Sequence, residues 1–403
     1  MNRIINIAYT FLGNITAALI KWLILILIVR LMNPEAVGFY TFAIALTSPI
    51  MLFSNMRLRT RYIVENIDFN DLMKIRYILD VISMIIIFVT TYLFMNDYIY
   101  IVILIALTKA LDLSSELYYG ILQKKENFKL IGMMMVGKNI GIIIVFACIL
   151  ISTKNLYFSL IGQIFIQFIW LILVERKALK YTVKATSQEL KSKKKLFIMF
   201  LTGLPLGVVQ LLNSYNILIP RYLIENFLSL KDVGIFASIS YLLTIMDLFM
   251  NAISQNFITS IKESVNKNEI KKLKKFMNKH VLMSSLMLGI VTFTATYLFG
   301  EKVIYLLYGN DYAKESAILV VISLSIIFNF QSWMFDSTLM ALKVYNAQLI
   351  ISFITLIVSV VSSVILISIY GLIGAAISVV IITMIQACVK YIIVNIKIKK
   401  LGY

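Results

Sequence analysis

The chain has 403 residues, of which 60% are hydrophobic and 14% are charged, and its mean hydropathy is +0.90. Soluble proteins carry about 25% charged residues, so this composition excludes a soluble enzyme, a disordered chain and a secreted disulfide scaffold. The formal net charge is +18 at pH 7, but the Lys and Arg residues fall between apolar segments and not along one face, which predicts no nucleic-acid partner.

Apolar segments follow one another along the chain. A helix that crosses a bilayer needs about 20 mostly apolar residues, and the segments of that length predict about twelve membrane-spanning helices. In chain order their limits are 8–30, 39–56, 78–95, 99–122, 130–151, 156–174, 197–222, 234–258, 281–300, 317–341, 349–369 and 371–394. The break between the last two depends on Tyr370, Gly371 and Gly374 alone.

The loops between these segments alternate in basic charge. One set of loops holds 28 Lys and Arg residues and the opposite set holds five. Because positive residues stay on the cytoplasmic side, we expect a multi-pass protein of the cytoplasmic (inner) membrane with both termini in the cytoplasm. The predicted domains are an N-terminal lobe at 1–175, a basic cytoplasmic linker at 176–196 and a C-terminal lobe at 197–403.

Weak internal similarity indicates that the two lobes are related. The sequence VGFY at 37–40 resembles VGIF at 233–236, and TYLF at 91–94 recurs at 296–299. Since six spans return the chain to the same side of the membrane, the lobes would have the same orientation, as in transporters built from parallel repeats. This predicts an all-α integral membrane fold with two six-helix lobes around a central cavity.

Ionisable residues within the predicted spans should face protein or water, because a charge near the bilayer centre costs at least about 2.5 to 3.5 kcal/mol. They are Lys21, Lys109, Asp112, Glu116, Lys138, Arg221, Asp247 and Asp336. Lys390 lies near a helix end, and we expect it to snorkel to the interface. Lys21, Lys138 and Arg221 have no acidic residue within one turn on the same helix, which predicts a cavity that accepts an anion.

The acidic residues leave two interpretations open. Lys109, Asp112 and Glu116 share one helical face, where the lysine can neutralise a carboxylate, so they form either a structural ion pair or a coupling site. Asp247 and Asp336 either pair with the cations or bind a coupling proton or cation.

Residues for catalysis are missing from the sequence. Cys148 and Cys388 lie within apolar segments, and the single histidine, His280, has no potential ligand at metal-binding spacing. No phosphate-binding glycine loop with its lysine occurs either. We therefore expect no metal, no cofactor and no enzymatic activity.

The first 60 residues resemble those of a transporter family. Residues 29–59 read VRLMNPEAVGFYTFAIALTSPIMLFSNMRLR, with Gly38-Phe39-Tyr40 after the first span and Leu58-Arg59 after the second. This segment, the chain length and the twelve spans resemble the O-antigen and capsule repeat-unit flippases. These form the Wzx-like branch of the multidrug/oligosaccharidyl-lipid/polysaccharide exporter superfamily, whose fold is of the MATE and MVF type.

The resemblance implies a flippase that moves undecaprenyl-diphosphate-linked oligosaccharides across the cytoplasmic membrane by alternating access, for surface polysaccharide biosynthesis. It also implies a monomer in the lipid bilayer, with a polysaccharide polymerase and a chain-length regulator as partners. Matching positions at the cavity mouth, together with the unpaired cations above, give the predicted substrate contacts. They are Lys21, Arg30, Arg57, Arg59, Lys138 and Arg221.

Three alternatives remain open. A multidrug exporter of the same superfamily would need an acidic cavity for cationic drugs. A peptidoglycan-precursor flippase usually carries two further spans. A non-transporting membrane scaffold would have its intramembrane charges paired off, with no pocket among them.

Overall fold

The computed structural model describes residues 2–64, 67–94, 96–125, 127–181, 193–266, 269–342, 344 and 346–401. Every regular element in these ranges is helical, and none of the described residues forms a strand. Contacts between Cα atoms divide the chain into two compact units, Met1–Ser214 and Tyr215–Tyr403. The predicted domain limits at 175 and 196 stay a prediction.

The first unit is built from eight helices, the last of which continues into the second unit. They are α1 (Asn2–Leu31), α2 (Pro34–Asn55), α3 (Leu58–Val64), α4 (Phe69–Phe94), α5 (Ile99–Lys124), α6 (Phe128–Thr153), α7 (Leu156–Leu173) and α8 (Lys193–Phe227). Short 3₁₀ turns cover Asn96–Tyr98 and Glu175–Tyr181.

Asparagine caps set where several of these helices begin. Asn33 Oδ1 accepts from the backbone N–H of Ala36 at 3.0 Å, and Asn155 Oδ1 accepts from that of Tyr157 at 2.9 Å. Asn127 caps α6 in the same way. A cap satisfies backbone N–H groups that have no partner within the helix. Each of these three asparagines therefore fixes the residue at which the following helix begins.

The second unit contains seven further helices. They are α9 (Leu230–Asn266), α10 (Ile270–Lys275), α11 (Leu282–Tyr308), α12 (Asn310–Ala313), α13 (Ala317–Ser323), α14 (Ser325–Ala341) and α15 (Asn346–Leu401). A π-helical turn, Phe276–Val281, joins α10 to α11.

Helix α15 is interrupted where the sequence predicts a break. Gly371 has φ 58° and ψ −133°, a backbone conformation that side chains with a Cβ rarely adopt. A Cβ atom at Gly374 would lie 1.9 Å from the carbonyl oxygen of Leu366, so the chain after the break packs directly on the backbone before it. The predicted break at 370–371 is confirmed.

Within the described ranges, nine helical segments are long and apolar enough to cross a membrane. The last of them, Ala347–Lys399, contains both of the last two predicted spans. Helix α4 covers the predicted span 78–95 up to residue 94, and α9 covers the predicted span 234–258. Their 26 and 37 residues correspond to about 39 Å and 56 Å at the usual rise per residue. The all-α membrane fold is confirmed, whereas the number twelve stays a prediction.

Each unit has its own apolar core and its own exposed apolar faces. Leu72 and Ile131 are buried in the core of the first unit, and Met334 and Val394 in that of the second. Many large apolar side chains nevertheless remain exposed, among them Ile85, Leu93, Phe165, Met287 and Leu306. So many exposed large apolar side chains are compatible with contact to lipid and not with contact to water.

Candidate functional site

One face of α5 collects most of the residues predicted for the first unit. Asp112, Glu116, Tyr119 and Gln123 follow one another at spacings of three or four residues, so they share one side of the helix. Helices α1, α3, α6 and α7 each contribute a polar side chain to this face.

Asp112 is the centre of this cluster. It accepts hydrogen bonds from Lys138 Nζ on α6 at 2.7 Å and from Gln167 Nε2 on α7 at 3.1 Å. Lys138 Nζ also donates to Ser115 Oγ at 2.8 Å, and the lysine is only 4% exposed. A buried ammonium group requires such partners. Lys138 is therefore an ion-paired residue that fixes the carboxylate, and its acidic partner comes from a neighbouring helix.

Lys21 on α1 approaches Asp112 from the open side. Its Nζ lies 4.0 Å from Asp112 Oδ2, and the two side chains are 62% and 37% exposed. Exposure of charged groups to lipid would be costly, so at this depth we expect them to face water. Lys21, unlike Lys138, is a cation that a ligand can reach.

Arg59 on α3 lies near the other end of the same face. Its Nε and Nη2 donate to Gln123 Oε1 at 3.0 and 2.8 Å, and its Cζ lies 6.0 Å from the ring centroid of Tyr119. Glu116 interacts electrostatically with Arg59 and with Lys21, and it makes no hydrogen bond within the part of the chain that the structure describes. The guanidinium is thus held in place by an amide and not by a hydrogen-bonded carboxylate.

A buried carboxylate supports this end of the cluster. The hydroxyl of Tyr119 donates to Glu175, which is fully buried in the 3₁₀ turn after α7. The Oε2 atom of Glu175 has no hydrogen-bond partner among the described residues. Sequence reasoning missed Glu175, because it stands at the edge of the polar segment interpreted as a linker.

The other predicted residues of the first unit are Lys109, Arg30 and Arg57. Lys109 Nζ donates to the carbonyl oxygen of Ile44 at 2.8 Å and to Ser48 Oγ at 2.5 Å, so it joins α5 to α2. Arg30 lies nine residues beyond Lys21, about 13 Å further along α1. Arg57 lies between α2 and α3 with φ 50°.

The second unit holds a similar lysine and aspartate pair. Lys390 Nζ on α15 donates to Asp336 Oδ2 and to Ser332 Oγ on α14, both at 2.6 Å. Lys390 is 4% exposed, so the prediction that it snorkels is wrong: an accessible carboxylate on the neighbouring helix binds it inside the unit. The side chain of Asp336 is 27% exposed.

The remaining predicted residues of the second unit are half-buried. Arg221 on α8 interacts electrostatically with Tyr241 and Tyr222, and Asp247 lies on α9. Neither Arg221 nor Asp247 forms an ion pair with another described residue. Their roles stay predictions.

The sequence matches a family of known proteins. Residues 4–258 match the family of polysaccharide biosynthesis proteins. The chain is 31% identical over 379 residues to the capsular polysaccharide biosynthesis protein CapF of Staphylococcus aureus, an alignment that covers 93% of this chain and 94% of CapF.

Solved structures share the fold at low sequence identity. The lipid II flippase MurJ in an inward closed conformation gives a TM-score of 0.75 at 13% identity, covering 98% of this chain and 90% of that one. An inward-facing multidrug resistance MATE transporter of the MOP superfamily gives 0.70 at 16% identity, covering 97% and 95%. These likenesses establish that the chain has the fold of these two proteins, and its function is argued from the family and the site.

Proposed function

Since the chain belongs to the family of polysaccharide biosynthesis proteins, we propose that it is a flippase for undecaprenyl-diphosphate-linked oligosaccharide repeat units. It moves them across the cytoplasmic membrane by alternating access, for surface polysaccharide biosynthesis. The membrane-spanning helices and the transporter fold agree with this role, and transport requires no chemical step on the substrate.

The observation that carries the proposal is the position of Lys21 beside an already neutralised carboxylate. Lys138 compensates the charge of Asp112 from the buried side, so Asp112 does not cancel the attraction of Lys21 for an anion. Lys21 is the most exposed of the three side chains. An ammonium group on a flexible stem binds phosphate as a point charge, which suits a diphosphate.

The polar face of α5 is long enough to contact both the diphosphate and the adjoining sugar of a lipid-linked oligosaccharide. Asp112 and Gln123 are eleven residues apart, about 16 Å along α5. Lys21 lies beside Asp112, and Arg59 donates hydrogen bonds to Gln123. This separation exceeds the size of a diphosphate, so we propose that Lys21 contacts phosphate and that Arg59 contacts phosphate or the adjoining sugar. Arg30, Arg57 and Arg221 stay predicted contacts.

The same charges argue against the alternative of a cation exporter. Such an exporter needs accessible carboxylates whose charge is not compensated, whereas in the cluster on α5 Asp112 is hydrogen-bonded to Lys138 and lies beside Lys21. This argument applies to that cluster and not to Asp247 on α9. We further propose that both termini are cytoplasmic, as the basic loops predict. A polysaccharide polymerase and a chain-length regulator would act on the exported repeat units.

Complementation of a deletion strain tests the proposal. We expect Lys21→Ala to lower surface polysaccharide at least about 10-fold, the effect of losing one charge-assisted contact of roughly 1.4 kcal/mol or more, and Lys21→Arg to retain most of it. Surface polymer is measured by immunoblot and normalised to the amount of protein in the membrane.

Lys302→Ala provides the matched control, since Lys302 is also an exposed lysine and lies on α11, outside the cluster. This variant should restore normal polymer. Full complementation by Lys21→Ala would contradict the proposed role of the ammonium group. Normal export of lipid-linked oligosaccharide by the deletion strain would contradict the flippase itself.

A further inference from the structure

Helix α14 has a half-buried face whose residues are all polar or aromatic. Asn329, Trp333 and Asp336 lie at positions i, i+4 and i+7, so they share one side of the helix, and each is half-buried. Phe330 and Met334, on another side of α14, are buried in the apolar core of the unit, and Trp333 packs against the edge of that core. A carboxylate on a partly open face of a spanning helix should face water, because exposure to lipid is costly.

Asp336 is held in one orientation by groups that a ligand cannot reach. Lys390 and Ser332 are buried, and the lysine ammonium donates to Asp336 Oδ2 at 2.6 Å. The second oxygen, Oδ1, makes no hydrogen bond with any described residue. Asp336 is therefore a carboxylate with a fixed orientation. Buried Lys390 compensates its charge, and Oδ1 can accept a hydrogen bond from a ligand.

These three side chains offer what a sugar ring requires. The part of the Trp333 indole that is not packed against the core is a flat apolar surface against which the C–H face of a sugar can pack. The amide of Asn329 both donates and accepts hydrogen bonds, and the carboxylate of Asp336 accepts them from hydroxyl groups. Unlike the face around Lys21, this one has no accessible cation among its residues, so it is suited to a neutral polyol and not to a phosphate.

We propose that Asn329, Trp333 and Asp336 form a carbohydrate-binding face in the second unit. It binds a sugar of the transported oligosaccharide, and in this respect it rests on the proposed function. Lys390 is a positioning residue that orients Asp336 and does not touch the sugar.

Tryptophan fluorescence gives a direct test, because the chain has only three tryptophans. In the full-length protein, Trp22→Phe and Trp170→Phe leave Trp333 as the single reporter. The probes are the repeat-unit oligosaccharide freed of lipid and diphosphate, and, in a separate arm, inorganic pyrophosphate. We expect the oligosaccharide to shift the emission of Trp333 in a saturable manner and pyrophosphate to leave it unchanged.

Variants separate binding from folding. We expect Trp333→Leu and Asp336→Asn to weaken oligosaccharide binding by at least about 10-fold, as measured by calorimetry in detergent. Trp333→Phe should keep the affinity within about 3-fold of wild type, because an aromatic ring remains. Gln331→Ala is the matched control, since Gln331 lies on another side of α14, where it donates to Ser285 Oγ at 2.9 Å. That variant should bind normally. Thermal unfolding of each variant shows whether it is folded.

A response of Trp333 to pyrophosphate alone would overturn the proposal, as would normal oligosaccharide binding by folded Trp333→Leu and Asp336→Asn. Neither result would affect the flippase assignment, which depends on the deletion strain and on Lys21. Conversely, unchanged export in the deletion strain would remove the flippase assignment and leave the binding measurement intact.

Discussion

Asp112→Ala is expected to destabilise the first unit by about 3 to 5 kcal/mol, because it leaves the ammonium of Lys138 buried without the carboxylate to which it is hydrogen-bonded. Ser115 would remain as a neutral acceptor at 2.8 Å, which is too weak a partner for a buried cation. We expect a lower thermal midpoint of the purified protein and a smaller amount of it in the membrane.

A double variant distinguishes stability from transport. Asp112→Leu combined with Lys138→Met replaces the ion pair by apolar side chains of similar volume, which is often neutral for stability. We expect it to recover the thermal midpoint but not the surface polysaccharide, because Gln167 loses its acceptor and Lys21 loses the carboxylate beside it. Recovery of both would mean that the pair serves only to hold α5 against α6. An unchanged midpoint in Asp112→Ala would contradict the buried pair itself.

The second large effect is expected at the break in α15. In Gly374→Val the new Cβ would lie 1.9 Å from the carbonyl oxygen of Leu366, a backbone atom that cannot turn aside. Relief requires that the segments before and after Gly371 separate, at a cost of more than about 4 kcal/mol. We expect little folded protein, measured as the monodisperse fraction after extraction in mild detergent.

Gly300→Ala in α11 is the control for this variant. There the new Cβ would lie 3.4 Å from Leu319 Cδ2, the end of a flexible side chain that can move slightly. This variant should remain near wild type in yield and in thermal midpoint. A normal yield of Gly374→Val would show that the two segments do not pack as closely as the structure indicates.

The membrane fold could be predicted because it depends on one-dimensional signals. Apolar length defines the spans, and Gly371 defines the break in α15, since a left-handed backbone conformation has a sequence signature. Loop charge gives a predicted orientation in the same way.

Partners across helices could not be predicted from these signals. Lys138 has no acidic residue nearby on its own helix, and its partner Asp112 lies 26 residues away on α5. The sequence predicts that Lys390 snorkels, because its contact with Asp336, 54 residues away, cannot be inferred from spacing along the chain. Gln167 and Ser332 carry no charge to mark them as members of a site. Which helices touch is a three-dimensional property, and spacing along one helix does not report it.

In each unit an aspartate is neutralised by a lysine from a neighbouring helix, but the spacing along the chain differs. Lys390 follows Asp336 by 54 residues, nearly the 55 by which Gln167 follows Asp112, whereas Lys138 follows Asp112 by only 26. At equivalent spacing, one unit thus has an amide where the other has the ammonium. Each unit thus reaches local electroneutrality with a lysine from a differently placed helix, and the position of a lysine in the sequence does not show which aspartate it neutralises.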